Sequence, residues 1–190
     1  QVIREADRFS ASVIRATKYS MLNNDPEATR SIVKNLSTQE EISDIRIYNH
    51  DGITKFSGQP VEVGTRVDKS AEACFACHAR DEPFSDVVTD ARTRIHYHAG
   101  HRVLGMITPI YNETGCYTAS CHAHPKEYRV LGVLDIGMSL KKLDTSVRFL
   151  VTQIILLGIG SCAAVIFTIA LYIVFRVHGP VNRLKTATKK

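Results

Sequence analysis

Two stretches of this sequence decide its fold: HRVLGMITPIYN, residues 101–112, and YRVLGVLDIGMS, residues 128–139. Each carries Arg-Val-Leu-Gly directly after its first residue. Both are rich in Val, Ile, Leu and Met, and the β-branched members of that set are typical of strands. We predict that the two stretches form adjacent strands of one antiparallel sheet.

A strand, a tight turn and a second strand are predicted earlier, in ISDIRIYNHDGITKFSG, residues 42–58. Gly52 supplies the left-handed backbone conformation that the turn requires, and the second strand runs from Ile53 to Ser57. Between Ser57 and His101 the sequence shows little regular pattern. We therefore expect a long loop that wraps around another component.

Two helices are predicted before these strands. Residues 1–22 place small and apolar residues at alternating spacings of four and three, which predicts a helix with a narrow seam. The seam positions are Val2, Ala6, Phe9, Val13, Ala16 and Ser20. Such a seam suits either a helix packed on its own domain or a dimeric coiled coil. Asp25 and Pro26 predict the N-cap and first residue of a second helix that reaches about Asn35.

A long apolar segment follows the sheet: FLVTQIILLGIGSCAAVIFTIALYIVF, residues 149–175. Its 27 residues include no charge, and a membrane-spanning helix needs only about 20. A helical pattern already begins at Leu140. The sequence therefore predicts an outer domain at 1–148, a transmembrane helix at 149–175 and a short tail at 176–190.

The charge distribution predicts the orientation in the membrane. The chain has 24 Lys and Arg against 19 Asp and Glu, and five of the basic residues follow the apolar segment, which leaves 19 of each sign before it. This excess is a positive-inside signal rather than a nucleic-acid surface, so we expect the tail in the cytoplasm and the domain outside. Export of that domain further predicts a signal peptide or a first transmembrane helix before Gln1.

Four of the five cysteines form two pairs, each followed directly by histidine: AEACFACHAR at 71–80 and GCYTASCHAH at 115–124. C-x-x-C-H is the attachment signature of c-type haem, in which two thioethers reach the vinyl groups and the histidine binds iron. Four intervening residues in the second pair lengthen the loop but keep the histidine beside its cysteine. We predict two covalent haems, attached through Cys74, Cys77, Cys116 and Cys121, with His78 and His122 as proximal ligands.

Two other chemistries suit the same cysteines. The four thiols have spacings that hold a structural zinc ion, and two disulfides are stable outside the cytoplasm. Neither chemistry explains why a histidine follows each pair. Cys162 lies within the apolar segment and is expected to be a small packing residue there.

The sequence pattern identifies the distal iron ligands less clearly than the proximal ones. The candidate histidines are His96, His98, His101 and His124. If His124, two residues after His122, is an iron ligand, we expect it to serve the haem that His122 does not hold. Met106 and Met138 are alternatives, although methionines in apolar strands usually belong to the core. Two histidine ligands keep a haem potential low, and methionine raises it.

The chain resembles the periplasmic c-type haem input domains of bacterial membrane receptors, such as sensor histidine kinases, diguanylate cyclases and chemoreceptors. The motifs that carry the resemblance are AEACFACH, RVLGMITPIYN leading to CHAHP, and RVLGVLDIGMSL. HGPVNRLKTATKK is similar to the first helix of a HAMP linker, with Pro180 and Leu184 at matching places. The resemblance covers nearly the whole chain.

This resemblance implies an α+β fold of PAS or Cache type. It comprises a long N-terminal helix, an antiparallel sheet with haem-binding loops and one C-terminal transmembrane helix. It also implies a bacterial inner-membrane location and a homodimer. A face of small residues around Gly160 and Ala164 suits close packing of two spans.

Two functions are consistent with these features. One is a redox or small-ligand sensor that signals across the membrane. The other is an electron-transfer subunit that delivers electrons to a partner protein, which is favoured if no signalling region follows Lys190. A zinc-stabilised binding module is a weaker third. The acidic pairs Asp81-Glu82 and Glu40-Glu41 are expected to be solvated, and no catalytic motif is present, so we do not expect an enzyme.

Overall fold

The computed structural model describes residues 2–67, 89–118, 124–174 and 176. These residues fall into two compact units that divide between Lys141 and Lys142. Several predicted features lie outside the described residues. They are Cys74, Cys77, His78, Cys121, His122 and the tail 177–190.

The first unit contains a five-stranded antiparallel sheet with the order β2-β1-β5-β4-β3. Its strands are β1 Ile42–Asn49, β2 Thr54–Ser57, β3 Thr93–His98, β4 His101–Tyr111 and β5 Val130–Ser139. The predicted pairing of the two Arg-Val-Leu-Gly stretches is confirmed, since β4 and β5 pair with Met106 opposite Ile136. β5 is consequently the central strand of the sheet.

The predicted hairpin of β1 and β2 is also confirmed. Gly52 has a φ of 76°, the left-handed conformation that the turn requires. The side chain of Asn49 closes the turn by accepting hydrogen bonds from the backbone N–H groups of Asp51 and Ile53. The register between β1 and β2 shifts by one residue between Ile47 and Tyr48. Ile47 lies opposite Phe56, and Tyr48 lies opposite Thr54.

The expected long loop between Ser57 and His101 is wrong in its last part. A short 3-10 helix at Thr89–Arg92 leads into β3, which pairs along its full length with β4. Ala99 and Gly100 have φ values of 49° and 79° and form the two-residue turn between the strands. His96 and His98 therefore lie within a strand, rather than before one.

Two helices cover one face of this sheet: α1 Val2–Leu22 and α2 Pro26–Ser37. The predicted start of α2 is confirmed, because the Asp25 carboxylate accepts a hydrogen bond of 2.9 Å from the backbone N–H of Ala28. Two hydroxyls join the helices, since Ser20 Oγ lies 2.8 Å from Thr29 Oγ1. The helix ends at Ser37, two residues beyond the prediction.

The buried stripe of α1 differs from the predicted seam. Its members are Ala6, Ser10, Val13, Thr17 and Ser20. Ala16 is exposed, and Thr17 occupies the buried position instead. The hydroxyl of Thr17 donates a hydrogen bond to the backbone carbonyl of Val13, so it needs no partner outside the helix. These side chains are buried within this chain. At these positions α1 therefore packs on its own domain, which is the first of the two predicted alternatives.

The helix-covered face of the sheet carries the apolar core. Its larger cluster joins residues of both helices to β1 and β5, namely Val13, Val33, Ile42, Ile45, Ile47, Leu134 and Ile136. A smaller cluster contains Ala6, Leu104, Met106 and Leu140. Met106 is fully buried and Met138 packs against both clusters. Both methionines are therefore core residues.

The opposite face of the sheet carries buried charges. Arg94 of β3 reaches across β4 to Asp135 of β5, with its Nη2 at 2.9 and 3.1 Å from the two carboxylate oxygens. Arg46 of β1 lies on the other side of Asp135 and forms two hydrogen bonds with Glu62. Gly105 leaves the room for Arg94, because a Cβ there would come within 2.7 Å of the guanidinium carbon.

These charged groups shift each other's titration. Burial raises the pKa of Asp135 above its ordinary 3.8, against the opposing charge of Arg94. Burial alone would also raise the pKa of Glu62, but hydrogen bonds from Arg46 and Ser57 hold it below its ordinary 4.5. The polar face is thus held together by ion pairs whose partners are partly removed from water.

The long helix α4 begins at Lys141, the last residue of the first unit, and ends at Ile173 in the second unit. Its 33 residues correspond to about 50 Å of helix, which exceeds the thickness of a bilayer core of about 30 Å. Within the described ranges it is the helix whose length and composition allow it to cross a membrane. The predicted transmembrane helix is confirmed to that extent.

Candidate functional site

Two residues of the second cysteine motif lie together after β4. Cys116 belongs to the short helix α3, Thr114–Tyr117, and its backbone carbonyl accepts a hydrogen bond of 3.1 Å from the N–H of His124. Cys116 is partly exposed and forms no disulfide with Cys162, the other cysteine that the structure describes. The chain therefore brings the first cysteine and the last histidine of CYTASCHAH next to each other.

Both residues line a cavity of about 790 Å³. The cavity lies where β1 and β4 end and β2 and β5 begin, beneath the turn that joins α1 to α2. Its walls are mainly apolar and include Ile14, Met21, Ile47, Phe56, Ile110 and Leu131. Cofactor and small-molecule sites typically have volumes of roughly 300 to 1,000 Å³ and such apolar walls.

One polar group in the cavity wall lacks a hydrogen bond. Thr108 Oγ1 is buried and has no partner in the described part of the chain. Its neighbours in β4, Met106 and Ile110, face the helices, and alternation along the strand places Thr108 on the same face. A buried hydroxyl without a partner is uncommon and is consistent with a ligand in the cavity.

An ion pair joins α1 to the segment that precedes Cys116. Lys18 of α1 contacts the carboxylate of Glu113, which is the residue before α3. The hydrogen bond and charge of Glu113 raise the pKa of Lys18 above its ordinary value. This exposed contact joins the segment before α3 to α1.

The other three candidate histidines lie far from this cavity. His101 is the first residue of β4 and Tyr111 is the last, and ten strand residues extend about 33 Å. His98 lies opposite His101 across the hairpin, and His96 lies opposite Val103. The four candidate histidines are therefore divided between two ends of the sheet, and only His124 lies near Cys116.

His96 and His98 share the charged face of the sheet with Arg94. His96 Nδ1 is buried and makes no hydrogen bond with the described residues. His98 lies close enough to Glu62 to contribute to its lowered pKa. The available ring nitrogen of His96 keeps it a candidate ligand for the haem predicted at Cys74 and Cys77, which lie outside the described residues.

The residues around the cavity are compatible with a covalently attached haem. Such a group needs an accessible thiol and an apolar enclosure, and Cys116 and the cavity walls supply both. Among the described residues no three His, Cys, Asp or Glu side chains come together as a metal-binding group. The zinc alternative depends on cysteines that the structure does not describe.

Sequence reasoning identified Cys116 and His124 but missed most of the cavity. Residues of two helices and four strands form its walls, so no local sequence pattern predicts them. Lys18 and Glu113 are 95 residues apart and carry no motif. Comparison with protein-family models and with curated proteins found no match to this chain.

Proposed function

We propose that this protein is a membrane-anchored dihaem cytochrome c that senses redox state or a small ligand outside the cytoplasm and signals through its membrane helix. The observation that carries the proposal is the position of Cys116 and His124 on the wall of one apolar cavity. A bound haem supplies a one-electron redox centre and an iron that accepts exchangeable ligands.

Each part of the chain has a role in this proposal. The thiols of Cys116 and Cys121 would hold the haem through two thioether bonds, and His122 would bind its iron. The apolar walls keep water from the macrocycle, which favours the less charged state of the iron. Cys74, Cys77 and His78 attach the first haem in the same way.

The path from the cavity to α4 supports a sensor. Leu131 and Gly132, at the start of β5, line the cavity. β5 is the central strand and ends at Ser139, and α4 begins two residues later at Lys141. A rigid central strand is a suitable element to carry a shift at the haem toward a membrane helix. The long N-terminal helix on an antiparallel sheet also agrees with the PAS and Cache resemblance.

Mass spectrometry of the intact chain tests the haem content. After expression with the cytochrome c maturation system, we expect a mass about 1.2 kDa above that of the polypeptide, which corresponds to two haems. Cys116→Ala with Cys121→Ala should remove one haem, and Cys74→Ala with Cys77→Ala should remove the other. Cys162→Ala is the matched control and should keep both. Zinc without iron in the purified protein would contradict the proposal.

Hydrogen exchange separates sensing from simple electron transfer. We compare the reduced and oxidised protein in detergent and follow peptides from β5 and from the first turns of α4. A sensor should change its exchange there on reduction, and the variant without the Cys116 haem should lose part of that change. Identical exchange in both redox states would favour the electron-transfer subunit.

A further inference from the structure

The cavity extends across four strands and has two different ends. Cys116 and His124 lie at the end near α1 and β4, where Gly115 approaches Leu22 of α1. The other end is formed by α2 and β2. From β4 across β5 and β1 to β2 there are three strand spacings, or about 14 Å. A group attached at Cys116 therefore directs its far edge toward α2 and β2.

Two cations lie at that far end. Arg30 of α2 and Lys55 of β2 both line the cavity. Lys55 is the extra residue at the slip between β1 and β2, because Thr54 and Phe56 pair with Tyr48 and Ile47 while Lys55 has no partner strand residue. A bulge of this kind turns a side chain away from the regular alternation. It explains how Lys55 reaches the cavity although its neighbours face opposite sides of the sheet.

The acidic residues of the cavity wall are already engaged. The Asp25 carboxylate caps α2 through Ala28, and Glu113 pairs with Lys18. Arg30 contacts Glu27 with one nitrogen, and a guanidinium carries four further N–H donors. Lys55 forms no ion pair with the described residues. At the far end of the cavity, the Lys55 ammonium group and most N–H donors of Arg30 are thus not paired with carboxylates of the described residues.

The chemistry of haem supplies the matching anions. Its two vinyl groups lie on one edge of the macrocycle and its two propionates on the opposite edge. A thioether at Cys116 would place the vinyl edge near α1, and the propionates would then lie toward Arg30 and Lys55. Carboxylates at the edge of an apolar cavity need cationic partners to remain ionised, and Arg binds them through paired hydrogen bonds.

We propose that Arg30 and Lys55 bind the propionates of the haem attached through Cys116. This inference rests on the proposed function, because it requires a haem at that cysteine. It assigns a binding role to two residues that the sequence alone did not single out. A cation beside a propionate destabilises the ferric state, which carries one more positive charge, and therefore raises the haem potential.

Redox titration of the full chain in detergent tests the assignment. The variants are Lys55→Gln and Arg30→Gln, and the control is Lys34→Gln, which removes the same charge from an exposed position of α2 that does not line the cavity. The haem at Cys116 is identified as the component that disappears in Cys116→Ala with Cys121→Ala. We expect both variants to lower its potential and the control to leave it unchanged.

The pH dependence of the same potential gives a second readout. Loss of a cationic partner raises the propionate pKa, so the pH at which the potential begins to vary should increase in Lys55→Gln and Arg30→Gln. If two haems are present and the variants behave like Lys34→Gln in both measurements, the propionate assignment is wrong. If the unmodified chain carries no haem at Cys116, the proposed function itself fails.

Discussion

The two faces of one sheet have very different compositions. On β5, Leu134 and Asp135 are neighbours, and each is at most 1% exposed. Leu134 packs with Val13 and Val33 under the helices, whereas Asp135 lies between two arginines on the opposite face. Alternation along a single strand therefore supplies both an apolar core and a buried ion-pair network.

This difference indicates separate roles for the two faces. The apolar face stabilises the domain by burying side chains, at about 1.5 to 3 kcal/mol for each large one. The charged face gains less, because each buried ion loses its hydration before its partner compensates. Buried ion pairs are retained in spite of this cost where they fix one arrangement of strands. Here they join the neighbouring strand β1 and the edge strand β3 to the central strand, through Arg46 and Arg94.

The largest loss of stability is expected when one member of the network is removed alone. Asp135→Ala leaves Arg94 mostly buried without its counter-ion, and a broken buried pair costs about 3 to 5 kcal/mol. Urea unfolding of the full chain in detergent, followed by tyrosine fluorescence, measures this. The combined change Asp135→Leu with Arg94→Met should recover most of the loss, because it removes both charges. No recovery in that double variant would show that the network stabilises the fold directly.

Leu134→Ala gives the comparison on the apolar face. It removes buried methyl groups beside Val13 and Val33 and leaves a cavity, which costs about 2 to 5 kcal/mol. The same unfolding measurement applies. Unlike the loss at Asp135, this loss should be insensitive to salt and to pH between 5 and 8. A salt-dependent loss at Leu134 would contradict the division between the faces.

Glu62→Gln is expected to have a smaller and pH-dependent effect. The pKa of Glu62 is lowered in the folded protein, so its ionised form contributes stability above pH 4.5 and that contribution disappears as the pH falls through the folded value. The melting temperature of Glu62→Gln should therefore lie below that of the unmodified protein at pH 7, and the difference should shrink below about pH 4.5. A difference that stays constant from pH 7 to pH 3 would assign Glu62 a purely geometric role.

The sequence predicted those parts of the fold that have local signatures. The composition of β4 and β5 predicted two strands, and Asp25-Pro26 predicted the start of a helix. β3 was missed because it lacks the buried apolar residues of β4 and β5: Ile95 and Tyr97 are exposed, and Arg94 faces the charged network instead of water. The seam of α1 was misplaced because Ser10 and Thr17 are polar, yet they occupy the buried stripe. The cavity had no signature, since residues distant in sequence form it.

The smallest effect, and the sharpest for function, concerns the histidines of the charged face. His96, His98 and His101 lie about 30 Å along β4 from Cys116, so they do not reach a haem attached there. In a chain with Cys74→Ala and Cys77→Ala, which keeps only that haem, replacing all three by alanine should leave its absorption spectrum unchanged.

Replacement of His124, which lines the same cavity as Cys116, is the comparison in that background. We expect His124→Ala to change the spectrum only if the first haem is present, because His124 as an iron ligand would serve that haem. A spectral change from the three alanines in the single-haem chain would mean that the two ends of the sheet approach one another through a second copy of the chain, and it would contradict the separation of these histidines from the haem at Cys116.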